Sequence, residues 1–330
     1  MESSDKNTLS PRSKSKFLSK SNAIIIAKIL IAGGLLFYIT RSVEYDKIIY
    51  AISNANLYII SIVLLLGVVN IYLQFAKWNL TCLEVLKENN KLKVLRSLFY
   101  GLSAGIITPL RIGEYFGRGI EFKDKSLVQV TVATLIDKFF PLLMVAFIGS
   151  VSSLLFIYYY FNVSIYVVLA LFILVFTLFY IFVLLILNNK FWDTLIFSKI
   201  KSSEKLKPFL KKLKVFQSLD RKYFNRMLLI SFLFYSCFLI QYALLVSAFS
   251  NHFDYFHYLW AANLIMFAKT VIPPISLGDL GIREGASVYF LQQFGESASV
   301  GFNSSILLFI INLLIPALIG VGMFFRKNGK

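Results

Sequence analysis

Val271-Ile272-Pro273-Pro274-Ile275-Ser276-Leu277-Gly278-Asp279-Leu280-Gly281-Ile282-Arg283-Glu284-Gly285 is a polar, helix-breaking stretch set between strongly apolar segments. Pro273 and Pro274 remove backbone donors and stop a helix. Gly278, Gly281 and Gly285 permit a tight turn, and Asp279, Arg283 and Glu284 place charge beside it. The same grammar occurs earlier, in Thr108-Pro109-Leu110-Arg111-Ile112-Gly113-Glu114-Tyr115-Phe116-Gly117-Arg118. Laid on Pro273 to Arg283 without a gap, this stretch puts Pro109 on Pro274, Gly113 on Gly278, Glu114 on Asp279 and Arg118 on Arg283. The offset, 165, is half of the 330 residues.

Composition sets the solvent. Hydrophobic residues make up 58% of the chain, charged residues 15%, and mean hydropathy is +0.72. Soluble domains are nearer a quarter charged, so this is an all-α integral membrane protein. The net charge of +17 would suggest nucleic acid in a soluble chain; here the positive-inside rule accounts for it, and no nucleic-acid partner is expected. Cys82 and Cys237 lie in or beside apolar segments and offer neither a disulfide framework nor metal-ligand spacing. No metal or cofactor is expected.

Residues 1–22 read as a disordered basic tail. The apolar run 23–40 contains Lys28 and lacks a small-x-small cleavage site, which makes it a retained span rather than a signal peptide. Runs near 57–76, 139–160, 163–187, 227–249 and 302–325 are also long enough to cross the hydrocarbon core, about 20 residues each. Two further runs, 97–110 and 255–272, lead directly into the Pro/Gly stretches. Of the 34 basic residues, 28 cluster in 1–22, 76–96, 111–125, 188–226 and 326–330. All five clusters fall on the cytoplasmic side if 97–125 enters and leaves on that face and 255–299 does so on the opposite face. The expected architecture is therefore six full spans plus two re-entrant hairpins, with both termini cytoplasmic.

On this reading residues 23–162 form one membrane repeat, 163–325 a second, and 326–330 a short tail. Spans beginning near 57 and 139 recur, offset by 165, near 227 and 302; the first span fits worse, its counterpart beginning near 163. Three crossings per half insert the second half upside down, the inverted-repeat arrangement of secondary transporters. The loop 188–226 spaces Phe209, Leu210, Leu213 and Phe216 among lysines, as in an amphipathic helix on an anionic leaflet.

The two stretches, with Asp137-Lys138 between them, resemble the lysylphosphatidylglycerol synthase transmembrane-region family, also called flippase-like domain proteins. The resemblance covers the chain from about residue 23. It implies a membrane domain similar to the part of multiple-peptide-resistance proteins that moves aminoacylated phospholipid between leaflets. Related members accompany glycan assembly on polyprenyl carriers. Leu110 and Asp279 stand where the family usually has Gly, and Lys138 where Arg is common. A soluble aminoacyl-transferase domain has no counterpart, so transport without lipid synthesis is the expectation.

Charged residues within a bilayer cost at least about 2.5–3.5 kcal/mol each on insertion scales, so each calls for a partner or a function. The candidates for substrate binding are Arg111, Glu114 and Arg118 in the first hairpin and Asp279, Arg283 and Glu284 in the second. Asp137, Lys138 and Lys269 lie on neighbouring helices. Arginine forks suit a phosphate, and helix N-termini near Gly113 and Gly281 would aim amides at an anion. Pro109, Gly113, Pro273, Pro274, Gly278 and Gly281 would shape the hairpins. Equally, Arg111/Glu114 and Arg283/Glu284 could be ion pairs that lock the fold, Asp137/Lys138 a helix-packing pair, and Lys269 a snorkelling side chain. The function expected is a flippase-like transporter of a phosphate-bearing lipid in the cell's inner membrane. The alternatives are a non-transporting subunit of an envelope or glycan-assembly complex, and a membrane enzyme acting on a lipid-linked substrate.

Overall fold

The computed structural model describes residues 45–187, 219–272 and 280–328, and every regular element in them is helical. The expected first span, most of the basic loop, and Pro273, Pro274, Gly278 and Asp279 lie outside the described residues. In chain order the elements are α1 (Tyr45–Ser53), α2 (Leu57–Thr81), α3 (Lys91–Ile107), α4 (Gly113–Gly119), α5 (Leu127–Phe161), α6 (Ile165–Leu187), α7 (Arg221–Ser250), α8 (Tyr255–Val271), α9 (Ile282–Gln293), α10 (Ala298–Phe309) and α11 (Ile315–Asn328). A π-helical turn, Cys82–Leu86, prolongs α2, and another, Ile310–Leu314, joins α10 to α11.

Among the described residues five helical stretches are long and apolar enough to cross a membrane: Leu57–Leu86, Leu127–Phe161, Ile165–Phe182, Arg221–Ser250 and Ala298–Arg326. They match five of the six expected spans, but three start or end well beyond the hydropathy limits. The span expected at 57–76 runs on through Lys77, the one expected at 139 starts at Leu127, and the one expected at 227 starts at Arg221. Capping side chains set the starts. Asn56 accepts from the amides of Tyr58 and Ile59, and Ser126 forms a capping box with Gln129, each supplying acceptors for amides that have no intrahelical partner.

α2 and α7 lie antiparallel at the centre. The Asn56 amide donates to Ala248 O at 2.9 Å, Gln241 Nε2 to Val63 O at 3.3 Å, and the Thr81 and Tyr223 hydroxyls meet at 3.1 Å. The end of α2 therefore sits beside the start of α7. The segment after α2 (α3, turn, α4) lies at one end of the bundle, and the segment after α7 (α8, turn, α9) at the other. At 7 and 12 residues, α4 and α9 extend about 10 and 18 Å at 1.5 Å per residue, too short to cross a core of about 30 Å. The hairpins engage reciprocally: Ser103 Oγ on α3 donates to Ala317 O on α11 at 2.6 Å, while Phe267 on α8 packs over Gly149 on α5.

The first hairpin shows how its sequence folds. α3 and α4 are antiparallel and nearly in backbone contact: a Cβ on Gly113 would lie 2.2 Å from Ala104 O, and one on Gly117 would lie 2.4 Å from Tyr100 O. Thr108 closes the turn, its hydroxyl accepting from the Gly113 amide at 2.6 Å and donating to Ala104 O at 3.0 Å. Between them Leu110 (φ 52°) and Arg111 (φ 54°) adopt the left-handed conformation, which disfavours side chains with a Cβ. This chain thus holds leucine under strain at the position where the resemblance implies glycine. The base of the hairpin is tied by Lys93, whose Nζ lies 2.9 Å from both Glu88 Oε2 and Asp124 Oδ1.

Gly113→Ala should destabilise the protein by about 1–3 kcal/mol, the usual result of overpacking, and Leu110→Gly should stabilise it by up to about 1 kcal/mol. Thermal unfolding in detergent measures both. The Lys93 hydrogen bonds hold the carboxyls of Glu88 and Asp124 below their ordinary range, Asp124 at about 2. A depressed folded-state pKa stabilises fully above the unfolded value and is lost as pH falls through the folded one. Lys93→Met should therefore flatten the fall in stability between roughly pH 4.5 and 2.

Candidate functional site

Where the first hairpin meets α2 and α5, four basic side chains converge on two carboxylates. Glu114 Oε1 receives Arg118 Nη2 at 2.8 Å, and its Oε2 receives Lys138 Nζ at 2.6 Å and Arg111 Nη2 at 3.3 Å. Asp137 Oδ2 receives Arg118 Nη1 at 2.9 Å, and its Oδ1 faces Lys77 Nζ at 3.1 Å. Arg118 thus bridges both acids and lies over the face of the buried Trp78 ring, 4.2 Å from its centroid, a cation–π contact strengthened by desolvation. Glu114, Arg118 and Asp137 are each at most 3% exposed.

Pro141 explains one partner of this network. It lies inside α5 and has no N–H for the carbonyl four residues earlier, which belongs to Asp137. Lys77 Nζ donates to that oxygen at 2.7 Å. Within a membrane such a freed carbonyl needs an internal partner, and Lys77 supplies it while also facing the Asp137 carboxylate. Lys77 was grouped with the cytoplasmic clusters because it ends the apolar run of α2; it is instead buried, 5% exposed. Of Arg111 and Arg118, assigned to both a basic loop and the hairpin interior, Arg118 is buried and Arg111 is half-buried beside Glu114. Asp137 and Lys138 do not pair with each other: successive residues on a helix face different ways, and each finds its partner on another element.

In the second hairpin Glu284 closes the start of α9, accepting from the Gly281 amide at 2.6 Å and from Arg283 Nη2 at 2.5 Å. Ser305 Oγ lies 2.9 Å from Arg283 Nε and donates to Glu284 Oε1 at 3.2 Å. Arg283 also lies against the Phe309 ring. The amides at Gly113 and Gly281 are thus taken by Thr108 and Glu284, and neither is presented to an anion as the sequence reading expected.

One cavity of about 570 Å³ draws on both hairpins. Arg111, Glu114 and Arg118 from the first hairpin, Lys269 and Arg283 from the second, and Lys77, Asp137 and Lys138 from α2 and α5 line it. Lys269 lies over the Phe238 ring, 5.2 Å from its centroid. Among the described residues, six basic side chains and two carboxylates line the space, and Arg283 has a third carboxylate, Glu284, behind it. Glu284, fully buried behind Arg283, does not line it. Apolar walls come from Leu135, Leu142, Val145, Phe234 and Leu308, and a neutral polar wall from Asn70, Gln74 and Asn312. Sequence reading found the charged residues next to helix breaks and missed Lys77, Asn70, Gln74 and Asn312. For Lys77 the available signal was a proline four residues beyond an acidic residue on a neighbouring span. A second cavity of about 740 Å³ lies further along α5 and is lined mainly by aromatic and aliphatic side chains, among them Tyr159, Tyr160, Phe256 and Trp260.

Residues 25–320 match the model of the lysylphosphatidylglycerol synthase TM region. The chain belongs to that family. No curated protein matched the sequence. Membership makes this family member a membrane protein related to lipid handling, and it places both hairpins, the buried ion network and the cavity inside the matched segment.

The geometry separates two roles. Glu284→Gln should destabilise this family member by about 3–5 kcal/mol, because it leaves the 4%-exposed Arg283 without a counter-charge. Arg111→Ala, at a side chain 26% exposed, should change stability by less than about 1 kcal/mol. Thermal melts of the two variants beside wild type compare them.

Proposed function

We propose that this protein moves a phosphate-bearing lipid, either a phospholipid or a polyprenyl-phosphate-linked lipid, between the leaflets of the cell membrane. The observation that carries the reading is the cluster of four basic side chains on two carboxylates, Glu114 and Asp137, among the described residues lining a cavity to which both hairpins contribute. A headgroup in transit needs a polar site part-way across the bilayer, and a phosphate is the anion that Arg and Lys side chains serve best. Around Glu114 and Asp137, among the described residues, four basic side chains meet two carboxylates, and a phosphate would complete that balance. Arg111 and Lys138, the more exposed partners of Glu114, are the residues assigned to first contact with the phosphate. Arg118 and Lys77 hold the site's geometry from behind.

Inverted insertion of two related halves gives this site a means of alternating access. Hairpins set at opposite ends of the α2–α7 pair, each packed on the terminal span of the other half, could rock about the shared cavity. The basic clusters favour cytoplasmic termini in an inner membrane.

Reconstitution into liposomes with a fluorescent phospholipid and a membrane-impermeant quencher tests the proposal. Wild type should equilibrate the label between leaflets, and Arg111→Ala should slow exchange at least about tenfold, the effect of losing a charge-assisted contact. Arg111→Lys should recover part of the rate. An unchanged rate in Arg111→Ala would contradict the site, and an absence of exchange with every phosphate-bearing lipid would contradict transport.

A further inference from the structure

The two cavities lie end to end along the same helices. On α5, Lys138, Leu142 and Val145 line the first, and Ile148, Ser152 and Leu155 line the second. Their successive spacings of three or four residues put all six on one face of the helix. On α8, Trp260 and Asn263 line the second cavity and Met266 and Thr270 the first, again at helical spacing. On α7 the neighbours Phe238 and Leu239 line one cavity each. A single groove therefore runs from the ion network along α5 and α8.

Its character changes along the way. Among the described residues that line the second cavity there is no Asp, Glu, Lys or Arg. Trp260 Nε1 donates to Ser152 O at 3.2 Å, and the Asn263 side-chain oxygen accepts from the Tyr235 hydroxyl. These bonds tie α8 to α5 and to α7 at the cavity wall and engage polar groups that would otherwise face it. Leu142 and Leu155 line the groove and are also exposed, which leaves it open to the surrounding lipid.

Length selects an occupant. A lipid in the leaflet at the first hairpin's end of the bundle points its chains toward the other end. One leaflet, headgroup included, is about 20–22 Å deep, or about 14 residues of helix at 1.5 Å each. Counted from Lys138, that length ends at Ser152, inside the second cavity. A much longer polyprenyl chain would overrun it.

We infer that the second cavity is the chain pocket for the lipid whose phosphate lies in the first. It takes one acyl chain of a phospholipid, which runs from Leu142 past Ile148 and ends between Ser152 and Leu155. The inference rests on the phosphate-lipid reading above and adds the site that holds the tail. Apolar burial gains little within a bilayer, so the chain is held by close contact with the groove walls.

The test is photolabelling of the full-length protein in nanodiscs with phosphatidic acid that carries a diazirine at the end of one acyl chain. Label should fall on residues 148–155 of α5 and 259–263 of α8. Arg111→Ala should cut that labelling about tenfold, the effect of losing a charge-assisted contact. Ile148→Trp, which fills the pocket, should cut it at least about fivefold. Labelling of α6, whose side chains are mostly exposed, should be unchanged in both variants, which also shows that they are folded. Label confined to α6 in wild type, or pocket label that survives Ile148→Trp, would overturn the chain pocket alone. Pocket label indifferent to Arg111→Ala, or matched by a diacylglycerol bearing the same diazirine, would overturn the phosphate-lipid reading along with it. Unlabelled polyprenyl phosphate that displaces the probe better than unlabelled phosphatidic acid would overturn the assignment of an acyl chain.

Discussion

Two carboxylates removed from water at the meeting of the first hairpin with α2 and α5 constrain the rest of this molecule. An ionised group in a low-dielectric interior is tolerated only when opposite charge and hydrogen bonds surround it. Glu114 and Asp137 meet that requirement by drawing side chains from separate elements: Arg111 and Arg118 from the hairpin, Lys77 from α2 and Lys138 from α5. The network therefore fixes how a short, kinked insert sits against two long helices. Its members are cooperative, since Arg118 serves both acids and Lys77 serves both a carboxylate and the carbonyl freed by Pro141.

From that constraint follows the character of the cavity. Packing between helices in lipid gains little from the hydrophobic effect and depends on close contact and polar bonds. Thr108, Gly113 and Gly117 give the first hairpin such contact, and the α2–α7 pair gives the bundle its axis. With both hairpins anchored by ions of their own, Lys77, Arg111, Arg118, Lys138, Lys269 and Arg283 line a space to which both contribute. The second hairpin is more self-contained, because the Glu284 carboxylate is used up by its own helix start and by Arg283.

Much of this was legible in the sequence because charge beside a helix breaker in an apolar chain has few innocent explanations. Arg111, Glu114, Arg118 and Arg283 were found that way, as was the placement of helix-breaking turns ahead of α4 and α9. Hydropathy alone misplaced the helix limits, since a single lysine or aspartate ends an apolar window even where the helix continues and the charge is buried. Lys77 was misread as loop for that reason. The amides of Asn70, Gln74 and Asn312 left no sequence signal at all: a lone amide in a span reads the same whether it packs, pairs or lines a cavity. Leu110 shows the reverse case, where the departure from the family's glycine was plain in the sequence but its left-handed backbone was visible only in the structure.

The most direct test is a structure of the protein determined in lipid nanodiscs rich in phosphatidylglycerol, with attention to phosphorus-bearing density. The account predicts a lipid phosphate between the two hairpins, in contact with Arg111 and Lys138 and facing Lys269 across the cavity. A cavity filled by water or rearranged side chains, with lipid phosphates confined to the membrane surfaces around the bundle, would contradict it.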